Sequence, residues 1–302
     1  MKNLIGKGNR RFYKDKGLSE EELEHVCGVD EVKALRRPEK TSHKGEGGKL
    51  LIIGGSRLFH GASMWALKTA SRIVDLVFYA SVQENLEAAR KIKSEVFDFI
   101  GIRVEEIDDY IKEADCILIG PGLMREEETK KLTERLLKKY PQKKWVIDAG
   151  SLQMMDWRLL RENCLITPHR KEFQRLFGVG FEGIGEFKFG EVKDRALFLQ
   201  NFAKKFGGVI LMKGVVDLVV SPTAWKFNLT GNEGMTKGGT GDVLAGLVAG
   251  FNSKNEAFLS ACAGIFVNGL AGDRLKKRVG VWFNASDLCE EIPKTLKWCE
   301  DF

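Results

Sequence analysis

With 302 residues, the chain is long enough for one large domain or two small ones. Its 43% hydrophobic and 30% charged content belongs to an ordinary globular protein and excludes a disordered or fibrous one. The net charge of +6 comes from interleaved bases and acids, which suits polyanionic small molecules and excludes the clustered basic face of a nucleic-acid binder.

No apolar run reaches membrane-spanning length, so no membrane association is expected. The basic residues 2–16 are not followed by the apolar stretch of a secretory signal. Six cysteines (Cys27, Cys116, Cys164, Cys262, Cys289 and Cys299) form no C-x-x-C pair, and several lie in apolar runs. They predict buried, reduced thiols and a cytoplasmic location.

Residues 1–40 read as a charged N-terminal extension with one short helix candidate. Ser19-Glu20-Glu21-Glu22 fits a capping box, and Leu23 and Val26 share a face. Pro38 closes this region, and the residues leave open whether it docks on the remainder or stays mobile. Residues 41–302 show no internal boundary and are read as one domain. Leu50-Leu51-Ile52-Ile53, closed by Gly54-Gly55, is a buried strand. Ala62, Trp65, Ala66, Thr69, Ala70 and Ile73 follow at helical spacing, and Leu76 to Ala80 is a second strand.

The alternation continues. A helix is expected at 84–93, a strand from Cys116 to Gly120 closed by Pro121-Gly122, and a charged helix at 126–140. Trp145 to Ile147 is a strand ending at Asp148. Cys164 to Ile166 is another, ending at Thr167-Pro168-His169. Helices at 171–177 and 191–206 precede a strand from Val209 to Met212, which ends at Lys213-Gly214. Leu218 to Val220 and Lys226 to Asn228 form a hairpin. Helices beginning near Asp242 and spanning 256–271 and 286–298 complete the chain. Strands alternating with helices define an α/β fold with a parallel sheet covered on both faces. In such sheets ligands bind beyond the carboxyl ends of the strands. Gly54-Gly55, Gly120 to Gly122, Asp148, His169 and Lys213-Gly214 are therefore expected on one rim.

The stretch from Gly231 to Gly246 contains Gly238-Gly239-Thr240-Gly241-Asp242 and runs into an apolar helix. Glycines allow backbone N–H groups to converge, and the helix start adds unpaired N–H groups and the positive dipole end, which together suit a phosphate. A carboxylate beside such an anion site fits a base that takes a hydroxyl proton during phosphoryl transfer. The competing reading makes Asp242 an ordinary helix N-cap. The chain contains no G-x-x-x-x-G-K-[ST] phosphate loop.

Taken in order, His43-Lys44-Gly45, Gly54-Gly55-Ser56, Gly61-Ala62, Gly120-Pro121-Gly122-Leu123, Asp148-Ala149, Thr167-Pro168-His169, Lys213-Gly214 and Gly238 to Gly246 resemble the ADP/ATP-dependent NAD(P)H-hydrate dehydratase family of the ribokinase-like superfamily. The similarity covers about residues 41–298 and is nearest the ADP-dependent prokaryotic type. It implies a three-layer αβα sandwich with a mainly parallel central sheet. The implied activity is a lyase reaction of metabolite repair: nucleotide-dependent dehydration of the S epimer of hydrated NADH or NADPH, with release of AMP and phosphate when ADP is used. The implied co-substrate is ADP (or ATP), with Mg²⁺ as cofactor and no protein ligand assigned to the metal.

By the same resemblance Asp242 is the catalytic base, and Gly239, Thr240 and Gly241 form the anion hole. Ala62, Gly122, His169 and Asp242 contact the hydrated nicotinamide nucleotide. Lys213, Gly214, Val215, Val216, Asp217 and Gly241 contact the adenine nucleotide. A homo-oligomer, and cooperation with a separate NAD(P)H-hydrate epimerase, are further implications. The chain departs from the family pattern at Asp75, Met124 and Asp217, which bear on the shape of the pocket. Two alternatives stay open: a ribokinase-like kinase acting on a hydroxylated vitamin precursor such as hydroxyethylthiazole, and a non-catalytic nucleotide-binding protein.

Overall fold

The fold is built on one nine-stranded sheet, seen here in a computed structural model that describes residues 6–92, 98–183 and 185–302. The strands are β1 (Lys49–Ile53), β2 (Leu76–Ser81), β3 (Ile100–Arg103), β4 (Cys116–Ile119), β5 (Lys144–Ile147), β6 (Cys164–Ile166), β7 (Val209–Met212), β8 (Asp217–Val220) and β9 (Trp225–Asn228). Their spatial order is β3-β2-β1-β4-β5-β6-β7-β8-β9. The pairs from β3 across to β7 are parallel, and β8 and β9 add an antiparallel hairpin. Strands β1, β4, β5 and β7 are buried along nearly their whole length. Continuous apolar runs of this kind belong to a sheet covered on both faces.

Register places the chemistry. Ile53 lies opposite Ala80 on one side and Ile119 on the other; Ile119 faces Ile147, and Ile147 faces Ile166. The residues that follow these strands, Gly54, Gly120, Asp148 and Thr167, therefore leave the sheet at one level on its carboxyl edge. The direction of winding reverses between β1 and β4, which opens a crevice there. The loops after these two strands meet across it: the Gly55 N–H donates to the Pro121 carbonyl at 2.8 Å. The helices pack in two groups. His60–Ala70, Thr240–Asn252, Ala257–Val279 and Ala285–Asp301 form one, and Glu127–Lys139, Ala149–Met154 and Arg170–Phe177 form the other.

Several expectations need correcting. Strand β3 was not anticipated: only Ile102 of its four residues is buried, and a short edge strand with a glycine leaves no apolar run to read. The helix expected at 84–93 is Gln83–Ile92; residue 93 lies outside the described residues. The helix expected at 256–271 continues to Val279, because its charged last turns are exposed and carry no apolar periodicity.

The N-terminal extension, read as polar with one helix, contains helices Lys7–Phe12, Glu20–His25 and Val29–Lys33. The Ser19/Glu22 capping box is present. Tyr13, Val26, Cys27, Val29 and Val32 are buried, Val26 bridges to Phe227 of β9, and the Cys27 N–H donates to the Phe227 carbonyl at 2.8 Å. The segment thus covers the exposed side of the last strand. Its apolar residues are spaced singly among charges, which hid this role in the sequence. All six cysteines are free and buried. Among the described residues no helix is long and apolar enough to cross a membrane.

Gly120 is a point of the rim where backbone meets backbone closely. Its φ is +124°, and a Cβ there would sit 1.8 Å from the Asp148 carbonyl oxygen. Gly120→Ala is expected to cost at least about 2 kcal/mol through strain and displacement of the Asp148 turn. Denaturant unfolding would show this as a lower midpoint with an unchanged slope.

Candidate functional site

Three strand ends bring a lysine and two acids together. Asp148 follows β5, Thr167 and His169 follow β6, and Lys213 follows β7. The backbone joins the last two: the Lys213 N–H donates to the Pro168 carbonyl at 2.9 Å, and His169 and Lys213 form a parallel bridge. Lys213 Nζ lies 2.9 Å from Asp148 Oδ1 and 3.9 Å from Glu172 Oε2. Asp148 is buried, and the Thr167 hydroxyl also donates to its Oδ1 at 2.9 Å. Ala149 is the non-glycine residue with positive φ among the described residues, at 45°. A strained backbone next to a buried carboxylate is a mark of functional sites. Burial pulls the Lys213 pKa down, but Asp148, Glu172 and Asp242 outweigh it, so the ammonium is held above its ordinary range.

Asp242 stands in the first turn of the Thr240–Asn252 helix, but it is not the cap. That position belongs to Gly239 at φ +98°, where a Cβ would lie 2.5 Å from the Trp65 ring. The N-cap reading of Asp242 is therefore set aside. Burial, then the negative charges of Asp148 and Glu172, push its carboxyl up to about 7, with Lys213 partly offsetting them. A carboxyl that titrates near neutrality beside unpaired helix N–H groups is poised for proton transfer.

The three residues expected to form an anion hole are not equivalent. The Thr240 hydroxyl is turned inward, donating to the carbonyls of Met235 at 2.7 Å and Lys237 at 3.0 Å. What this turn offers an anion is backbone N–H, as helix geometry dictates.

A cavity of about 720 Å³ opens beside this helix start. Lys213, Gly214, Val215, Asp217, Thr240 and Gly241 are among its lining residues. Five of the six residues expected to contact the nucleotide thus share one cavity. The sixth, Val216, is buried and does not line it. Asp217 is also buried, and it accepts from the Gly214 N–H at 2.9 Å and from Asn228 Nδ2 at 3.0 Å. Burial raises its carboxyl to about 6 despite these bonds. Asp217 therefore shapes the Gly214 turn.

Ala62, Gly122 and His169 do not line this cavity. Gly122 packs against the backbone of Gly55 and Phe59 at the β1/β4 crevice, and Ala62 lies on the His60–Ala70 helix behind it. His169 caps the Arg170–Phe177 helix: its Nδ1 accepts from the Glu172 N–H at 3.1 Å, which leaves the proton of the neutral ring on Nε2. The ring is half exposed and remains accessible from the rim. Sequence reasoning missed Glu172, which the capping-box spacing from His169 signals as a cap partner but not as a neighbour of Lys213. It also assigned Asp148 no catalytic role; the structure sets its carboxylate against Lys213. Among the described residues no group of three or more His, Cys, Asp or Glu side chains is arranged to hold a metal.

The parallel sheet, the switch-point crevice and the glycine helix start define a doubly wound α/β fold. The solved *Bacillus subtilis* structure described as an ADP/ATP-dependent NAD(P)H-hydrate dehydratase co-crystallized with ATP/Mg²⁺ has this fold: TM-score 0.75, 22% identity, covering 91% of this chain and 98% of that one. The NAD(P)H-hydrate dehydratase family profile matches residues 50–294, and the chain belongs to that family.

A *Methanocaldococcus jannaschii* bifunctional NAD(P)H-hydrate repair enzyme is 38% identical over 290 residues, covering 91% of this chain and 53% of that protein. The chain spans about half the length of this and several other curated relatives it matches. A *Cenarchaeum symbiosum* ADP-dependent (S)-NAD(P)H-hydrate dehydratase is 33% identical, covering 90% of this chain and 96% of that protein.

The charge cluster makes a directional prediction. Asp148→Asn removes a negative neighbour and lowers the Asp242 pKa, whereas Lys213→Met removes the offsetting cation and raises it. Carboxyl-carbon NMR titration of labelled protein would read both, and equal values in the two variants would show that the groups are uncoupled. Stability follows the same shift. Between an unfolded pKa of about 4 and the folded value of about 7, the native state holds a proton that the unfolded state has released. Asp242 therefore reduces stability progressively as pH rises through that window. Asp242→Asn is expected to melt higher than the parent at pH 8, with the difference closing toward pH 4.

Proposed function

We propose that the protein is an ADP-dependent dehydratase that returns the S epimer of hydrated NADH or NADPH to the intact cofactor, releasing AMP and phosphate. The observation that carries this reading is Asp242: a carboxyl poised near pH 7, in the first turn of a glycine-capped helix whose Gly241 lines the nucleotide-sized cavity. A cavity of this size is in the range of small-molecule sites. The nucleotide lies there with its terminal phosphate at the Gly239–Gly241 turn. The hydrated nicotinamide nucleotide lies on the rim of Ala62, Gly122 and His169.

Hydroxide is a poor leaving group and phosphate a good one. Asp242 takes the proton of the ring hydroxyl as its oxygen attacks the terminal phosphorus of ADP; the O–P bond forms and the bond to AMP breaks. Backbone N–H groups at Gly239 and Gly241 hold the charge gathering on the phosphoryl oxygens. Phosphate then departs with the ring C–O bond, a neighbouring C–H proton is lost, and the ring double bond returns. Lys213, kept charged by Asp148 and Glu172, faces Gly241 and adds positive charge on the phosphoryl side.

With no protein cage for a metal among the described residues, Mg²⁺ fits as a partner of the nucleotide phosphates, whose charge it neutralises. Archaeal relatives described as ADP-dependent (S)-NAD(P)H-hydrate dehydratases support the choice of ADP and of the S epimer. We further propose that the protein acts in the cytoplasm as a homo-oligomer, together with a separate epimerase that interconverts the two hydrates.

The test is repair of enzymatically hydrated NADH with Mg²⁺ and ADP or ATP, followed by the return of dihydronicotinamide absorbance and by phosphate release. ADP is expected to support turnover, and Asp242→Asn to reduce kcat about 1,000-fold. No repair with either nucleotide, using hydrate that another dehydratase accepts, would overturn the assignment in favour of a kinase.

A further inference from the structure

The anion turn opens with two adjacent glycines, and glycine by itself fixes no backbone conformation. Gly239 is held by packing: a Cβ there would lie 2.5 Å from the Trp65 ring and 2.7 Å from Ala285. Gly238 has no such support. It is exposed, and a Cβ there would meet nothing within 4 Å. Order on that side of the turn comes from the preceding residue, Lys237. Its Nζ donates to the Phe283 carbonyl at 2.6 Å and to the Val281 carbonyl, both in the connection between the Ala257–Val279 and Ala285–Asp301 helices. Its own carbonyl accepts from the Thr240 hydroxyl at 3.0 Å, spanning the two glycines.

Among the described residues no carboxylate pairs with the Lys237 ammonium, so its hydrogen bonds go to carbonyls. Bonds from an ionised donor are shorter and stronger than neutral ones. The acceptor side is firm. Phe283 is buried, its ring centroid lies 5.4 Å from Nζ, and the ring packs on Gly234, where a Cβ would sit 2.6 Å from it. We propose that Lys237 is a positioning residue for phosphoryl transfer. Its ammonium pins the Gly238–Gly241 turn to the 281–283 connection, so that the Gly239 and Gly241 N–H groups are aligned before charge develops on the phosphoryl oxygens. Donors fixed in advance need no reorganisation as the transition state forms, so the tether acts on kcat more than on nucleotide binding. This rests on the nucleotide reading given above and adds to it a residue that acts through the anion turn.

The test is steady-state repair of hydrated NADH with ADP and Mg²⁺ in two variants. Lys237→Met keeps the length of the side chain and removes the ammonium; kcat is expected to fall about tenfold while the KM for ADP changes by less than about threefold. Lys237→Ala should show the same loss and also leaves room for an added amine. Propylammonium, which restores both the charge and the N–H donors, is expected to recover most of the lost kcat in a saturable way. Tetramethylammonium at the same concentration has the charge but no N–H and should recover none. The methionine variant carries the test if the alanine variant fails to fold. A wild-type kcat in Lys237→Met, a change confined to KM, or a loss in Lys237→Ala that the two cations affect equally would each overturn the positioning role while leaving wild-type repair, and so the nucleotide reading, in place. Wild-type protein that repairs nothing would remove that reading and this inference together.

Discussion

The site depends on one ammonium group held among three carboxylates. Lys213 contacts Asp148 and Glu172 directly and feels Asp242 beyond them. Three acids around one base leave excess negative charge in a partly dry pocket, where full ionisation is costly. The cluster relieves this by letting one carboxyl keep its proton near neutrality. Asp148 and Glu172 lie against the lysine, and Asp242 is the member whose pKa rises to about 7. The same balance that keeps the buried charges tolerable therefore leaves one carboxyl able to exchange a proton near neutrality.

The sheet makes this balance possible. Asp148, Glu172 and Lys213 come from three stretches of chain separated by tens of residues, and they meet because β5, β6 and β7 are adjacent and parallel. The strained Ala149 and the crowded contact between Gly120 and the Asp148 carbonyl set the carboxylate's direction. On the other side, Trp65 closes over Gly239 and donates to Ser286 Oγ at 3.1 Å, tying the anion turn to two neighbouring helices. Lysine and helix N–H groups thus lie beside the cavity, with the protonatable Asp242 in the same helix turn as the cavity-lining Gly241.

Much of this was legible in the chain. The run from Leu50 to Ile53, closed by Gly54-Gly55, and its counterparts at Cys116, Trp145, Cys164 and Val209 are buried parallel strands, because apolar continuity is what burial on both faces requires. The glycine stretch before Asp242 was legible because a turn of positive φ leaves a compositional trace. Strand β3 left none, since its pairing relies on backbone hydrogen bonds and a single buried isoleucine. The N-terminal helices were obscured for the opposite reason: their apolar residues are too widely spaced among charges to show periodicity, and they are buried through contact with β9.

The sequence by itself determined the alternation of strands and helices, the glycine-capped anion turn and the acid that follows it, because each is written in local periodicity or backbone freedom. Only the tertiary structure decided which charges share a pocket. Nothing local in the sequence brings Glu172 and Asp148 together; β7 delivers Lys213 to both of them. Proton affinity and hydrogen-bond demand are set by neighbours distant in sequence, and no local pattern encodes them.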